Sequence, residues 1–356
     1  MKTQFYLRTL FLCLLTLTFS CGSDDSSSGG GDDDGGGGGA AITSIQISAN
    51  NTNVMVGNSV TFTVVANTGE IVTSQATISV NDAAISGSTY TPTTEGAHTV
   101  SAALNGLTSN SITINAETPP IPFTKHVLIE DYTGTWCGWC PRVAYGIEQV
   151  EDATELANVV AVHSGDVFQT SYVGTLESLV GLAGYPTAML NRMTEWTYPE
   201  PLNVGQVVGL TGDDATLGLA VNATMAGANM DIEVSVKFGE DFSDRDLKLV
   251  VYVLEDGLLY DQENYTDYYG GGAVLPNFEH NHTLRDVLTN VLGDAIPSAD
   301  TTKENVYTTT INTTVPANVS NSANINLVAF VVNGSTNKAL NSRAADFGET
   351  QTFEEE

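Results

Sequence analysis

The sequence predicts a multidomain protein in which a central α/β domain lies between an amino-terminal β-sandwich and a carboxy-terminal antiparallel β-sandwich. Three observations lead to this prediction. Short segments that alternate apolar and polar residues fill residues 41–117, and similar segments fill residues 212–350. Between them, residues 123–211 contain a strand, a Cys-x-x-Cys motif, a helix and a second strand, in that order. A chain of 356 residues is also long enough for two or three domains.

Composition and charge restrict the classes of partner. Hydrophobic residues make up 42% of the chain and charged residues only 15%, which is typical of a folded protein, while the formal net charge is −30. Such an acidic surface repels nucleic-acid phosphates and anionic lipids, so we expect no nucleic-acid partner. A cationic partner is one explanation of the charge; solubility is the simpler one.

The amino terminus has the features of a targeting segment. An apolar run from Thr9 to Phe19 follows two basic residues and is too short to span a bilayer, so we predict a signal peptide over residues 1–20. The next residue, Cys21, follows a sequence similar to a lipobox, and we predict that it is lipidated. Cleavage by an ordinary signal peptidase is the alternative. Residues 21–40 are acidic and Gly-rich and predict a disordered tether.

The residues that follow Cys21 indicate a cellular location. Cys21-Gly-Ser-Asp-Asp resembles the acidic export signal that sends lipoproteins of Bacteroidetes to the outer face of the outer membrane. The resemblance implies a protein of the outer membrane that is exposed at the cell surface, and an anchor that faces the periplasm is the alternative. In either case, the protein would contact the membrane through its lipid anchor only.

Residues 41–117 predict a β domain. Residues 60–64 alternate Val, Thr, Phe, Thr and Val, and about seven short strands of this kind, separated by turn residues, predict a β-sandwich. The stretches Val56–Phe62 and Tyr90–Gly96 resemble bacterial immunoglobulin-like domains. Such a module either binds a partner or acts as a spacer between the membrane and the rest of the protein. The Pro-rich residues 118–122 predict a stiff linker.

In the central segment, a strand, the Cys-x-x-Cys motif, a helix and a second strand follow one another, which is the order in which this motif is typical of a functional site. His126–Tyr132 predicts a buried strand, Cys137 opens a helical stretch that runs to about Glu155, and Val159–His163 predicts a second buried strand. A thiolate at a helix amino terminus is stabilised by free N–H groups and by the helix dipole. We therefore assign Cys137 as the nucleophile that attacks a substrate disulfide, and Cys140 as the thiol that resolves the mixed disulfide.

Two other roles of the cysteine pair are alternatives to redox chemistry. Zinc binding is disfavoured because no second Cys pair or His pair lies nearby, so we predict no metal. A permanent structural disulfide is the stronger alternative, because a cell surface lacks an obvious reductant. The flanking Trp136 and Trp139 favour a substrate-facing loop, since a bridge alone needs neither. The enzyme hypothesis also requires an accessible Cys137 sulfur beside Pro186.

The motif Trp136-Cys-Gly-Trp-Cys-Pro141 resembles that of thioredoxins, with Trp139 in place of the usual Pro. The resemblance implies that Asp131, six residues before the first Cys, moves protons to and from the resolving thiol; a structural hydrogen-bond acceptor is the alternative. Gly184–Thr187 resembles the thioredoxin loop that carries a cis-proline. The residues that the resemblance implies for substrate binding are Trp136, Trp139, Tyr185, Pro186 and Thr187.

A narrower resemblance covers most of the chain. Residues 131–142, Asp-Tyr-Thr-Gly-Thr-Trp-Cys-Gly-Trp-Cys-Pro-Arg, together with the flanking layout, resemble the Omp28-related lipoproteins of Bacteroidetes. This resemblance extends from about Phe123 to near the carboxyl terminus. It implies an outer-membrane location and a thioredoxin-like core, and it leaves the substrate undefined.

Residues 212–350 predict an antiparallel β domain. Five segments in it have strand patterns, and Ile232–Phe238 alternates so regularly that one face of its strand should meet solvent. Leu284–Leu292 predicts a short helix. Residues 351–356 form an acidic tail.

A tyrosine-rich segment interrupts this β domain. Asp256–Phe278 contains four tyrosines beside acidic residues and ends its acidic part with three consecutive glycines. It is either a contact surface for a partner or an ordered loop packed on its own domain. The following His280 and His282 would share one face of a strand, but without a third ligand we predict a structural role for them.

The leading functional hypothesis is thiol–disulfide exchange on protein or peptide thiols and disulfides through Cys137 and Cys140, without a cofactor. The alternative is a non-enzymatic surface protein that binds a host, matrix or envelope partner and keeps the cysteines as a structural bridge. A carrier of metal or heme lacks a ligand set in this sequence.

Overall fold

The computed structural model describes residues 40–355. The predicted signal peptide, Cys21 and all but the last residue of the predicted tether lie outside the described residues. The chain forms two compact units. The first contains the described residues up to 52 together with residues 59–90 and 97–114, and the second contains residues 53–58, 91–96 and 115–355.

The first unit consists of β-strands and turns. The strands up to residue 117 are β1 (Ile45–Ala49), β2 (Asn53–Met55), β3 (Val60–Ala66), β4 (Thr77–Val80), β5 (Ala83–Ala84), β6 (Thr89–Tyr90), β7 (Gly96–Leu104), β8 (Leu107–Thr108) and β9 (Ile112–Glu117). β1 and β6 flank β3 in one antiparallel sheet, while β7 pairs with β4 and β8. Val60, Phe62 and Val64 are buried on one face of β3, as the alternating sequence predicts.

The second unit begins with β2, which pairs in parallel with residues 115–117 of β9. Its remaining strands are β10 (Phe123–Lys125), β11 (Val127–Thr133), β12 (Ala157–His163), β13 (Thr187–Leu190), β14 (Thr194–Glu195), β15 (Gly212–Ala215), β16 (Leu217–Ala226), β17 (Asn229–Phe238), β18 (Leu247–Glu255), β19 (Leu258–Glu263), β20 (Val274–His280), β21 (Thr283–Val287), β22 (Asp294–Ile296), β23 (Val306–Thr314), β24 (Ile325–Asn333) and β25 (Ala339–Asp346). Its helices are α1 (Pro141–Ala153), α2 (Val173–Val180) and α3 (Val204–Val208), with short 3₁₀ turns at Glu200–Leu202, Ser298–Asp300 and Ser322–Asn324.

A nine-stranded mixed sheet organises the second unit. Its order is β14-β13-β11-β12-β21-β18-β24-β25, and β22 also pairs with β18. β11 and β12 are parallel, with α1 as their connection. β12 continues into the rest of the sheet through one parallel pairing, Ala161 with Thr283, where the Ala161 N–H donates to the His282 carbonyl oxygen at 2.8 Å. Strands from residues 127–195 and from residues 247–346 therefore belong to one sheet.

The predicted fold class is wrong on this point. The described residues are 46% strand and 11% helix, and residues 123–211 do not form a separate central α/β domain, because their strands and those of residues 247–346 share a sheet. The thioredoxin-like domain expected from the resemblance is therefore not evident. The physical reason is that a continuous apolar run shows that a strand is buried on both faces but does not show which strand lies beside it.

Both faces of the large sheet are covered. On one face, α2 packs through Leu176 on side chains of β11, β12, β18 and β24, such as Tyr252 and Phe330. On the other face, α1 and α3 cover β11 to β13, and the three-stranded sheet β16-β17-β23 covers β18 and β24. The regular alternation predicted for Ile232–Phe238 is observed in β17. Within residues 40–355, no helix has the length and apolar character needed to cross a membrane.

Two local predictions are corrected by these elements. The helix predicted over Leu284–Leu292 is instead β21, because residues 283–287 pair with β18 and this tertiary pairing overrides the local pattern. The helix predicted to open at Cys137 begins at Pro141, and Cys140 occupies its cap position. Of the six residues between β11 and the cap, 134–139, four form turns.

Candidate functional site

The two cysteines lie in the connection between β11 and α1, where they form a disulfide bond. The Cys137 N–H donates to the Gly134 carbonyl oxygen at 2.9 Å, and the Cys140 N–H donates to the Cys137 carbonyl oxygen at 3.0 Å. Pro141 is the first helical residue, a position where its missing N–H costs little. Cys140 is thus placed at the amino terminus of α1, and Cys137 lies one turn before it.

The disulfide is covered, although the residues around it are not. Cys137 is 4% exposed and Cys140 is 2% exposed, whereas the flanking Trp136 and Trp139 are 47% and 52% exposed. In this arrangement the Cys137 sulfur does not meet the accessibility that the enzyme hypothesis requires. The segment that covers it therefore decides what the pair can do.

The cover is the tyrosine-rich segment of the sequence. Residues 258–280, which comprise β19, β20 and their connection, form a two-stranded unit that we call the covering hairpin. Its Glu263 N–H donates to the Thr135 carbonyl oxygen at 2.8 Å, and its Tyr265 N–H donates to the Gly138 carbonyl oxygen at 2.6 Å. The hairpin backbone is thus hydrogen-bonded directly to the cysteine-bearing loop.

Side chains add to this backbone contact. The amide nitrogen of Gln262 donates to the Cys137 carbonyl oxygen at 2.9 Å. The ring of Tyr265 packs edge-to-face on Trp139, with 5.8 Å between ring centroids. A Cβ atom at Gly138 would lie 2.5 Å from the Tyr265 ring, so the glycine between the cysteines is what allows the hairpin to approach.

The rest of the hairpin packs on α1. Tyr268 stacks on Tyr145 with 4.9 Å between ring centroids, and the Tyr269 hydroxyl donates to Glu148 Oε1 at 2.8 Å. Two features that the sequence treats as separate, the Cys-x-x-Cys motif and the tyrosine-rich segment, therefore form one site. The contacts of Tyr268 and Tyr269 are those expected of an ordered loop packed on its own domain. Tyr265, in contrast, is 60% exposed.

Asp131 occupies the buried end of the site. It is 4% exposed, and its Oδ1 atom has no hydrogen-bond partner among the described residues. Burial, and to a smaller extent Glu200, raise the pKa of Asp131 to about 8, although Arg142 acts in the opposite direction. The carboxyl group therefore carries a proton at neutral pH.

A cavity of about 70 Å³ connects Asp131 with the resolving cysteine. Its lining includes Asp131, Cys140, Gln262, His163 and His280. The Nε2 atoms of His163 and His280 are buried and have no partner among the described residues. Polar atoms without a protein partner among the described residues therefore line a space that is large enough to hold water.

Within residues 40–355, no group of three or more His, Cys, Asp or Glu side chains is arranged to hold a metal ion. His163 is held by Asp166 through Nδ1 at 2.7 Å, and burial, with the neighbouring His163, lowers the pKa of His280 to about 4. His282 forms an ion pair with Glu151 at 2.9 Å.

The other predicted site residues lie around Tyr185. The Trp136 ring packs edge-to-face on Tyr185, with 5.3 Å between centroids. The Tyr185–Pro186 peptide bond is cis, as the resemblance implies, and Thr187 pairs with Tyr132 of β11. Trp136, Tyr185, Pro186 and Thr187 are therefore close together, while Trp139 lies with the covering hairpin.

Sequence reasoning missed the hairpin residues that contact the loop, above all Gln262 and Glu263. They follow the motif by more than a hundred residues, and no local pattern links them to it. The Arg142–Glu200 ion pair beside Asp131 was also missed. The one available signal was the unusual density of tyrosines in Asp256–Phe278.

Comparison with known proteins defines the class to which this protein belongs. The family model described as outer membrane protein Omp28 matches residues 174–351, which is half of the 356-residue chain. The protein is a member of the Omp28 family. Its predicted location, the outer membrane, is thereby confirmed. The matched region begins after the cysteine pair and includes the covering hairpin.

Two solved structures are similar to the chain. HBP35 of Porphyromonas gingivalis is 21% identical over 64% of this chain and 77% of its own, with a TM-score of 0.51. This likeness is one of fold. A domain of the outer membrane lipoprotein Omp28 from the same organism is 18% identical and covers 38% of this chain and 92% of its own, with a TM-score of 0.26. No curated protein matches the chain.

Proposed function

We propose that this protein carries out thiol–disulfide exchange on protein or peptide substrates through Cys137 and Cys140. The observation that supports it best is the buried, protonated Asp131 on the same cavity as Cys140, with an unpartnered carboxyl oxygen. A structural bridge has no use for an ionisable group of this kind, and burying one without a partner is costly.

The exchange is balanced in electrons and protons. A substrate thiolate attacks the Cys137 sulfur, the Cys137–Cys140 bond breaks, and Cys140 leaves as a thiolate that takes a proton from Asp131. A second substrate thiolate then attacks the substrate sulfur of the mixed disulfide and releases Cys137. The substrate is oxidised to a disulfide, and the pair is reduced by two electrons. In the reverse direction, Cys137 attacks a substrate disulfide and Cys140, deprotonated by Asp131, resolves the intermediate.

Aromatic residues on both sides of the loop would hold the substrate. Trp136 with Tyr185, Pro186 and Thr187 form one flank, and the half-exposed Trp139 forms the other. Large, rigid aromatic side chains bind at a low cost in conformational entropy. We assign these five residues to substrate contact.

The lipid anchor at Cys21 and exposure at the cell surface are part of the same proposal. They are supported by the lipobox-like sequence and by the acidic residues that follow it. Metabolic labelling with a fatty acid checks the anchor: the wild type should be labelled, and a Cys21→Ser variant should not.

A second function is supported by the burial of the disulfide. Cysteines that are 4% and 2% exposed, beside a loop that is hydrogen-bonded to a hairpin, are also what a structural bridge requires. In that case the protein would be a non-enzymatic surface protein that binds a host, matrix or envelope partner. Replacing both cysteines would then lower stability without changing partner binding.

The reduction potential of the pair distinguishes the two functions. The purified mature chain is equilibrated in defined redox buffers, quenched with an alkylating reagent and assayed for free thiols. We expect a potential between about −120 and −270 mV, the range of proteins that exchange disulfides. A value below about −300 mV supports the structural bridge instead. A Cys140→Ser variant should then trap substrates as mixed disulfides, and Cys137→Ser is its matched control.

A further inference from the structure

We propose that the carbonyl edge of residues 134–138 is a binding surface for an extended polypeptide segment, and that the covering hairpin occupies this surface until a substrate displaces it. The inference rests on the proposed exchange function and adds to it the form in which a substrate binds and the event that must precede reaction.

The first support is the geometry of the backbone contacts. Glu263 and Tyr265 are two residues apart, and both donate their N–H groups to the loop, to Thr135 and Gly138. Alternate residues of an extended strand point their N–H groups to the same side, so this is the pattern of an added β-strand. Any extended polypeptide can supply the same two donors, as in recognition by β-strand addition.

The second support is that the hairpin competes for the position a substrate needs. Both cysteines are buried, and the hairpin is hydrogen-bonded to the carbonyl oxygens of Cys137 and Gly138, while Trp136 and Trp139 stay about half exposed. A substrate thiolate must reach the Cys137 sulfur along the line of the disulfide bond, and that approach requires an uncovered sulfur. The hairpin must therefore leave before exchange begins.

The hairpin is built to move as a unit. It forms its own two-stranded sheet, separate from the nine-stranded sheet. Its tip is organised internally, because the Asn264 side chain bonds the carbonyl oxygens of Thr266 and Gly272 and accepts from the Thr266 N–H. Gly257, just before the hairpin, has a φ of 72°, a conformation that few other residues adopt easily. Two-stranded hairpins are marginally stable by themselves, so displacement of the covering hairpin from the cysteine-bearing loop is energetically accessible.

Gly138 offers a direct way to disturb the contact. In a Gly138→Ala variant, the new Cβ atom would lie 2.5 Å from the Tyr265 ring, so the hairpin is pushed off the loop. The matched control is Gly174→Ala in α2, where an added Cβ meets nothing within 4 Å. A Gly138→Ala, Tyr265→Ala double variant removes the clash and lets the hairpin return.

The first measurement is the rate at which dithiothreitol reduces the disulfide of the full mature chain, followed by alkylation and mass shift over a range of reductant concentrations. We expect the wild-type rate to reach a plateau, because hairpin opening becomes limiting. Gly138→Ala should react about tenfold faster below the plateau, the size expected for an overpacked contact. Gly174→Ala should match the wild type, and the double variant should be slower than Gly138→Ala.

The second measurement tests the polypeptide surface. A short extended peptide with two cysteines is oxidised by the protein, and the rate is compared with that of peptides N-methylated at alternate positions. We expect methylation of one alternating set of amides to abolish most of the rate, and methylation of the other set to leave it nearly unchanged. Equal rates for both sets would show that the carbonyl edge does not bind the peptide backbone.

Different experimental results would contradict the covering role of the hairpin and the proposed exchange function. A reduction potential below about −300 mV argues against exchange, whatever the kinetics. A reduction rate that rises linearly with dithiothreitol and is the same in Gly138→Ala and in the wild type overturns the covering role, whatever the potential.

Discussion

Arg192 and Glu130 form a buried ion pair inside the nine-stranded sheet. Arg192 Nη2 lies 2.7 Å from Glu130 Oε1, and both residues are less than 10% exposed. The same Nη2 donates to the hydroxyl of Tyr252 at 2.7 Å. Because Glu130 is in β11 and Tyr252 is in β18, this network joins the strands that carry the cysteine loop to the strands of the carboxy-terminal half.

The first prediction concerns this pair. Glu130→Ala leaves the Arg192 charge buried without its partner, and we expect a loss of about 3–5 kcal/mol in the free energy of unfolding. Urea denaturation measures it. The matched control is Glu355→Ala, which removes an exposed pair with Lys237 and should cost less than about 1 kcal/mol. A similar, small loss in both variants would contradict the role given to Glu130.

The second prediction is a pH dependence of stability that depends on Asp131. Its folded-state pKa, about 8, is above the ordinary value of 3.8, so the folded protein keeps a proton that the unfolded chain releases. Its contribution to stability is therefore complete below pH 3.8 and is lost as the pH rises towards about 8. The charged or titratable groups that act on its pKa or line the same cavity are Arg142, Glu200, Glu148, Glu151, His163, Glu279, His280 and His282.

Asp131→Asn removes this titration. We expect the variant to lose the decrease in stability between pH 5 and pH 9 and to exceed the wild type at pH 9 by about 1 kcal/mol or more. Denaturant unfolding at both pH values measures it. Asp244→Asn, which changes an exposed carboxylate, should keep the wild-type profile. The same profile in Asp131→Asn and the wild type would show that Asp131 titrates normally.

The third prediction concerns the loss of the disulfide. The cysteines are only three positions apart, so the bond closes a very short loop and constrains the unfolded chain little. We expect a Cys137→Ser, Cys140→Ser variant to remain folded and to lose about 2 kcal/mol. Circular dichroism and urea unfolding check both statements. A variant that does not fold would mean that the bridge is essential to the structure, which favours the non-enzymatic alternative.

The fourth prediction concerns the junction of β10 and β16. A Cβ atom at Gly218 would lie 2.3 Å from the ring of the fully buried Phe123. Gly218→Ala should therefore cost about 1–3 kcal/mol through overpacking. Gly174→Ala, with open space around its new Cβ, should cost much less. Equal unfolding midpoints for the two variants would show that the Phe123 ring moves aside without a loss in the free energy of unfolding.

Several features of the site were predictable from local sequence. His126–Tyr132 and Val159–His163 are buried strands as predicted, and a helix follows Cys140. The cis bond at Pro186 agrees with the loop that its neighbours resemble. These features depend on residues within a few positions of one another, whose patterns report burial and backbone conformation directly.

The sequence by itself determined where several of the buried strands lie and that the two cysteines are spaced to form a disulfide. Only the tertiary structure decided that β12 and β21 join two predicted domains into one sheet, and that Tyr265 covers Gly138. The physical reason is that hydrophobic pattern specifies which face of a strand is buried and leaves its neighbour open. The partner is chosen by packing and hydrogen bonds between residues that are more than a hundred positions apart.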